Sequence, residues 1–421
     1  MMSDVTLDWR NKGFPATETT VSRERIDERN WRITHEDLML PAAVLLRSAI
    51  VHNSRWMKRF TSLVGASLAP HGKTTMSRDI IAMQMADGAW GMTAATPGHI
   101  RIYREFGISR IILANQLVGR QSIAYVASEL ARDAEFDFYC LIDSIAGVEL
   151  LEAGLAAFDP GRPVQILIEL GSPGGRAGLR DGAEALRVAR RIAESPRLTL
   201  RGVEAFEGIV QGQKGDEDSV RDLIGRITTL ADEIASEGWF DGTPILSAGG
   251  SAFFDMVAEG FARVSGFETV LRSGCYIVHD SQFYKKLVER LEARMPEVAN
   301  LGEGLRPALE VWAYVQSRPE ATRLIAGLGK RDVGNDVAPP IPTGWCRPAE
   351  DDAVHPMGAD HLVVRLDDQH AYLDVPAHSP LRPGDMVSFG ISHPCTTFDK
   401  WRTLFVVDDE RRVVDLVETS F

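Results

Sequence analysis

Lys73 stands in Pro70-His71-Gly72-Lys73-Thr74, directly after the apolar run Ser62-Leu63-Val64-Gly65-Ala66. That run reads as a buried strand. A lysine at the mouth of a buried strand can be stripped of water and condense, as a neutral amine, with an aldehyde. Lys73 is therefore a candidate anchor for a carbonyl cofactor. Two other readings compete with it. Gly72-Lys73-Thr74 also matches the end of a phosphate-binding P-loop, although Ser67 stands where the first glycine of that pattern belongs and Pro70 removes a backbone N–H. The third reading is a plain surface lysine in a strand-to-helix loop.

Two glycine-bearing stretches offer anion binding: Ser247-Ala248-Gly249-Gly250-Ser251 and Arg272-Ser273-Gly274-Cys275-Tyr276. Glycine lets backbone N–H groups approach an oxyanion and serine adds a hydroxyl donor, while the plain alternative is a tight turn. His393-Pro394-Cys395 follows the strand-like Met386–Ile391 and puts an imidazole and a thiol two residues apart. In an extended segment residues i and i+2 face the same way, so both could grip one ion. A nitrogen with a sulfur suits zinc, and an accidental H-x-C is the alternative.

These groups need a scaffold. Eight short apolar runs recur along the chain: Ser62–Ala66, Gly91–Thr96, Arg110–Asn115, Phe136–Asp143, Val164–Gly171, Leu200–Gly208, Pro244–Gly249 and Glu268–Tyr276. Between them Thr74–Ala86, Gly119–Ala131, Ala183–Ala193 and Val220–Ala235 carry apolar residues at helical spacing. Alternating strands and helices imply parallel pairing, and eight units predict an α/β fold, a closed (β/α)8 barrel. A doubly wound open sheet is the competing architecture. In such barrels the loops after the last two strands commonly bind phosphate, which is where the two glycine stretches fall. An aldehyde-binding lysine and a phosphate cradle in one barrel point to pyridoxal 5′-phosphate (PLP).

Near residue 295 the pattern turns to alternating, turn-rich sequence. Leu309–Gln316, Thr322–Leu328, Leu362–Leu366, Ala371–Val375, Met386–Ser392 and Leu404–Val407 read as strands, with Pro339–Pro342 as a breaker. The domain reading is a polar segment 1–40, capping the fold or packing on the β domain, a barrel over 41–294, and a mostly-β domain over 295–421 that carries the metal pair.

The net charge of −13 argues against a nucleic-acid or anionic-membrane partner. No apolar stretch approaches about 18 residues, and Met1-Met2-Ser3-Asp4 does not open a signal peptide, so the cytoplasm is expected. Four cysteines in 421 residues make no disulfide framework, and Cys140 within Phe138–Ile142 reads as a packing residue.

Pro70-His71-Gly72-Lys73-Thr74, Leu113–Gly119 with Asn115 and Gln116, Gly249-Gly250-Ser251, Leu271–Tyr276 and His393-Pro394-Cys395 together resemble the D-threonine aldolase and D-serine dehydratase family, most closely its bacterial amino acid deaminase branch. The resemblance runs from about residue 40 to near the C-terminus. It implies the alanine-racemase-type fold of type III PLP enzymes, a barrel of the alanine racemase N-terminal type with a C-terminal β domain. By that resemblance Lys73 holds PLP, the loops Gly249–Ser251 and Ser273–Tyr276 bind its phosphate, and Asn115 and Gln116 lie on the cofactor side. His393 and Cys395 hold a divalent metal. Cysteine as second ligand is similar to the zinc-dependent dehydratases, whereas the aldolases carry an aspartate suited to manganese. A D-amino acid substrate and a homodimer are further implications.

Two departures from the family pattern stand out. Ile168–Gly178 carries extra residues around Arg176, which is either a cofactor contact or a solvated loop charge. Phe206 and Glu207 replace a tyrosine and a histidine frequent in the family. The expected reaction is elimination of water from a D-β-hydroxy amino acid to a 2-oxo acid and ammonia. Retro-aldol cleavage to glycine and an aldehyde, a racemase, a non-catalytic PLP carrier and a metal-free sugar-phosphate barrel are the alternatives.

Overall fold

The computed structural model describes residues 5–209, 217–282, 285–286, 290–348, 350 and 353–421; Met1–Asp4 lie outside them. A small hairpin, β1 (Thr6–Asp8) and β2 (Thr20–Ser22), is followed by β3 (Ala42–Leu46) and the long helix α1 (Arg47–Val64). Eight parallel strands come next: β4 (Ser67–Leu68), β5 (Met92–Ala94), β6 (Arg110–Gln116), β7 (Asp137–Ile142), β8 (Val164–Leu170), β9 (Leu198–Ala205), β10 (Ile245–Ala248) and β11 (Glu268–Leu271). They run in chain order round one sheet, with β11 returning to pair with β4. The ring closes because Trp90 N donates to Leu68 O at 2.7 Å and Thr93 N to Pro70 O at 2.9 Å. The expected closed barrel forms, and the open doubly wound sheet does not.

The pleat explains why each strand reads as a continuous apolar run. Successive side chains point to opposite faces, and a barrel strand has apolar surroundings on both. Ile112, Tyr139, Leu141, Leu167, Ile245, Val270 and Ala69 form one small buried cluster, drawn from six of the eight strands or their ends. Their neighbours Ile111, Leu113, Phe138, Cys140, Ile166 and Ile168 belong to the large core under the helices. The small cluster fills the barrel, so chemistry must sit above it, at the C-terminal strand ends.

The second sheet has the order β15 (His355–Pro356), β14 (Ile341–Cys346), β18 (Met386–Gly390), β12 (Leu309–Glu320), β13 (Arg323–Ala326), β17 (Ala371–Asp374) and β16 (Leu362–Leu366). Strands β19 (Thr403–Val407) and β20 (Val413–Glu418) pair with each other, and β3 pairs with both β12 and β19. The chain thus donates a strand to this sheet before it enters the barrel. Leu7, Phe14, Val21, Ile26 and Trp31 pack in one cluster with Trp312, Met386 and Phe405 of the second sheet, so the N-terminal segment lies on the β domain.

Three local readings are corrected. Ser62–Ala66 is not a strand: Ser62–Val64 end α1, Gly65 caps the helix at φ +67°, and the strand is only Ser67–Leu68. The helix expected from Thr74 starts at Arg78, after a 3₁₀ turn at Gly72–Thr74. Pro339–Pro342 does not wholly break the chain, because β14 begins at Ile341 and takes up Pro342 at a register shift, where its missing N–H is tolerated.

Candidate active site

The turn Gly72–Thr74 after β4 places Lys73 at the rim of a cavity of about 250 Å³ above the barrel. Lys73 is exposed to that cavity rather than buried. Around it stand Asn115 and Gln116 from β6, Glu169 from β8, Arg176, Glu204 and Phe206 at the end of β9, and Gly250, Ser251, Arg272, Gly274 and Cys275 from the last two loops. His393 and Cys395 complete the wall from the β domain. The structure therefore gathers most of the sequence-predicted site residues round one opening.

Gly249, Ser273 and Tyr276 stand outside that wall. Ser273 Oγ donates to Gly249 O at 2.9 Å, and the Tyr276 hydroxyl accepts from Gln84 Nε2 at 3.2 Å. Gly249 has φ +85° and its N–H donates to Glu207 Oε2 at 3.2 Å, while Gly250 N–H donates to Glu207 Oε1. So a buried carboxylate already sits on the two amides of the first glycine loop. Gly274 is required for another reason: a Cβ there would lie 2.4 Å from His71 O. Cys275 N–H donates to Ser251 Oγ at 3.3 Å, which ties the two loops together.

Two carboxylates that the sequence reading missed rise from the floor. In β8 and β9 the register pairs Leu167 with Gly202 and Glu169 with Glu204. One inward step above the filling layer therefore brings two buried acids side by side. Gln116 Nε2 donates to Glu169 Oε2 at 2.5 Å. Glu204 Oε2 lies 2.5 Å from the Arg272 guanidinium, both nearly solvent-free at 1% and 4% exposure, and that guanidinium also donates to Ala205 O at 2.8 Å. Burial outweighs Arg272 and pushes Glu204 up to about 8, and burial also raises Glu169. The signal lay in the sequence, as an acid two residues beyond an inward position in each strand.

The Glu204 shift has a testable sign. The folded chain holds its proton more tightly than the unfolded one, so the stability it contributes is full below about 4.5 and is lost as pH rises towards about 8. Glu204→Gln should flatten the dependence of unfolding free energy on pH across that window, measured by urea titration at several pH values. Equal slopes in variant and parent would show that Glu204 is not the group responsible.

His71, at the cavity edge, is desolvated and faces Lys73, Arg272 and Arg176, which together hold it well below the usual histidine range; its Nδ1 is buried without a partner. His99 Nδ1 accepts from Ala95 N at 3.4 Å, and His279 is buried outside the cavity wall. Arg176 stacks 5.5 Å from the Phe206 ring centre and lines the cavity. Asn115 Nδ2 donates to Ala95 O at 3.3 Å.

The His393–Cys395 pair reaches the barrel because the chain turns there. Pro394 is helical (φ −58°) and caps a short helical turn, Cys395–Phe398, so the segment is not extended and the i, i+2 argument from strand geometry does not apply. The turn brings the two side chains onto the same cavity wall, close enough for Cys395 to act electrostatically on the imidazole. Asp336, another residue the sequence did not flag, lies 57 positions earlier and takes a hydrogen bond from His393 Nδ1 at 2.7 Å. Burial would lower His393, but Cys395 and then Asp336 outweigh it and push the imidazole up to about 9. Cys395 is held well below the usual thiol range by a hydrogen bond from Cys275, against burial, and by His393.

The fold and this cavity can be set beside known proteins. A family profile described as alanine racemase, N-terminal domain, matches residues 46–280, more than half of the chain. The chain belongs to that family. A second profile, described as a serine dehydratase domain, matches residues 308–407, the region that contains His393 and Cys395. This is the fold of the type III PLP enzymes, as the sequence resemblance implied. D-threonine aldolase from Arthrobacter sp. is 26% identical over 306 residues, 71% of this chain and 74% of that protein. Among solved structures, D-threonine aldolase from Filomicrobium marinum superposes with a TM-score of 0.73 at 21% identity, covering 93% of this chain and 96% of that one. A D-threo-3-hydroxyaspartate dehydratase variant with one cysteine changed to alanine, in its metal-free form, gives a TM-score of 0.72 at 19% identity, covering 93% and 99%. At such identities the structural likeness establishes the fold.

The racemase-type barrel fits PLP on its own chemistry. It has a lysine open to a cavity of small-molecule size, a serine-bearing loop beside it, and a buried His71 Nδ1 without a partner. The His393–Cys395 pair fits a divalent metal, with one nitrogen, one sulfur and a carboxylate bonded to the other imidazole nitrogen. Among the described residues no helix is long and apolar enough to cross a membrane.

Proposed function

We propose that this chain is a PLP- and zinc-dependent lyase that removes water from a D-β-hydroxy amino acid to give a 2-oxo acid and ammonia. The observation that carries the reading is that Lys73 and the His393–Cys395 pair face one cavity from opposite domains. PLP, when bound, supplies an electron sink for bonds at the substrate Cα. Lys73 would hold the cofactor and, once released by substrate, move the Cα proton through Nζ. Ser251 and the Gly274–Tyr276 turn would bind the phosphate, and Arg176, Asn115 and Gln116 would flank the cofactor. His393 and Cys395 would hold zinc, whose Lewis acidity serves departure of the β-hydroxyl. Sulfur as a donor favours zinc over manganese.

Retro-aldol cleavage is the second reading, favoured by the D-threonine aldolase relative. Incubation with D-serine, D-threonine and D-threo-3-hydroxyaspartate, assaying 2-oxo acid, ammonia and glycine separately, divides the two. Oxo acid with equimolar ammonia is expected. Glycine with an aldehyde would move the assignment to the aldolase, and no turnover of any substrate would overturn the lyase reading.

A further inference from the structure

Cys275 was expected at this site only as part of a phosphate loop, yet its sulfur lies against that of Cys395. It follows β11 in the turn Cys275–Ile277, is 6% exposed, and lines the same cavity as His393 and Cys395. Its Sγ lies 3.4 Å from Cys395 Sγ, and Thr74 Oγ1 stands 3.8 Å from the first sulfur and 3.5 Å from the second. The backbone and side chain of Cys275 thus face different ways in function: the N–H bonds Ser251 and the sulfur meets the β domain.

We propose that Cys275 is a third protein ligand, so that His393, Cys395 and Cys275 form a one-nitrogen, two-sulfur site with its fourth position open. The proposal rests on the metal reading above. Two thiolates bound to one tetrahedral zinc at about 2.3 Å lie roughly 3.8 Å apart. The sulfurs therefore need to part by only a few tenths of an ångström. Among the described residues no three such side chains are gathered closely enough for an ion as the structure stands, so His393 and the two sulfurs would have to draw in round the metal. Binding would replace the proton shared by the sulfurs, together with any proton on the imidazole nitrogen that turns to the ion, and release them to solvent. His393 is already steered by Asp336, and three protein ligands with one open position is the arrangement of catalytic zinc sites. A second sulfur also makes the site softer, which favours zinc over manganese or magnesium.

The test uses the full-length PLP-loaded protein. Zinc X-ray absorption should count two sulfurs per ion, and the cobalt(II) form should show thiolate-to-metal charge transfer that falls by about half in Cys275→Ser. Zinc affinity against a competing chelator should fall at least about tenfold in that variant. One sulfur per ion in the parent protein, or an unchanged variant, would overturn the third ligand and leave the two-ligand site standing. Failure of the parent to take up any metal would overturn both. The sulfur count on the parent needs no variant, so a poorly folded Cys275→Ser does not shelter the idea.

Discussion

Lys73→Ala is expected to give a folded but colourless protein whose lyase activity is lower by at least about a thousandfold. The size follows from two losses at one atom. The variant has no amine to condense with the cofactor aldehyde, and no base at the substrate Cα, a contribution typically worth about 10² to 10⁴ on its own. Among the described residues lining the cavity Lys73 is the one lysine, so no neighbour can stand in. Lys73→Arg is the control for charge: it keeps a cation beside His71 and Arg272 but cannot condense, and should be equally colourless. The measurement is the visible spectrum of dialysed protein after incubation with PLP, beside the rate of oxo-acid release. A yellow Lys73→Ala protein that survives dialysis would end the assignment of Lys73 as the anchor.

The parts of this site that could be read in sequence share one property: their signal is local. Lys73 announces itself through the residues around it, and the two glycine loops through their place after the seventh and eighth apolar runs. His393 and Cys395 are two residues apart. The apolar runs themselves were legible because a barrel strand is buried on both faces, so Ile111, Ile112 and Leu113 are all apolar although they enter two different cores.

What was not legible depends on juxtaposition across the chain. Asp336 meets His393 only after the β domain folds, and Cys275 meets Cys395 across 120 positions. Glu207 is a middle case. The family resemblance marked it as standing where a histidine is frequent, but its bonds to Gly249 and Gly250 arise from the closure of β9 beside β10. The misplaced strand before Lys73 has a simpler cause. Leu63 and Val64 are the tail of an amphipathic helix, and β4 is too short, at two residues, to show a period of its own.

Chelation of the divalent metal is expected to lower oxo-acid formation at least about a hundredfold while leaving the cofactor's visible absorbance in place. The separation of the two effects follows from the architecture. Lys73 and the proposed phosphate loops belong to the barrel, whereas His393 is held from the β domain by Asp336, and Cys275 would meet the ion through its sulfur while its N–H stays on Ser251, so the ion can leave without unseating the cofactor. A hundredfold loss corresponds to about 3 kcal/mol of transition-state stabilisation, within what a Lewis acid at a departing hydroxyl supplies. Added zinc should restore the chelated parent. His393→Ala should show the same loss without rescue at the same zinc concentration, because it removes one ligand and leaves Cys395 with no imidazole beside it. Asp336→Asn should fall between the two and should recover as zinc is raised, since it loosens the orientation of His393 but keeps the ring. If chelation left the oxo-acid rate unchanged and His393→Ala turned over normally, the His393–Cys395 pair would be a structural clasp between the domains, and water would leave by proton transfer from a group such as Glu169 or Glu204 on the cavity floor.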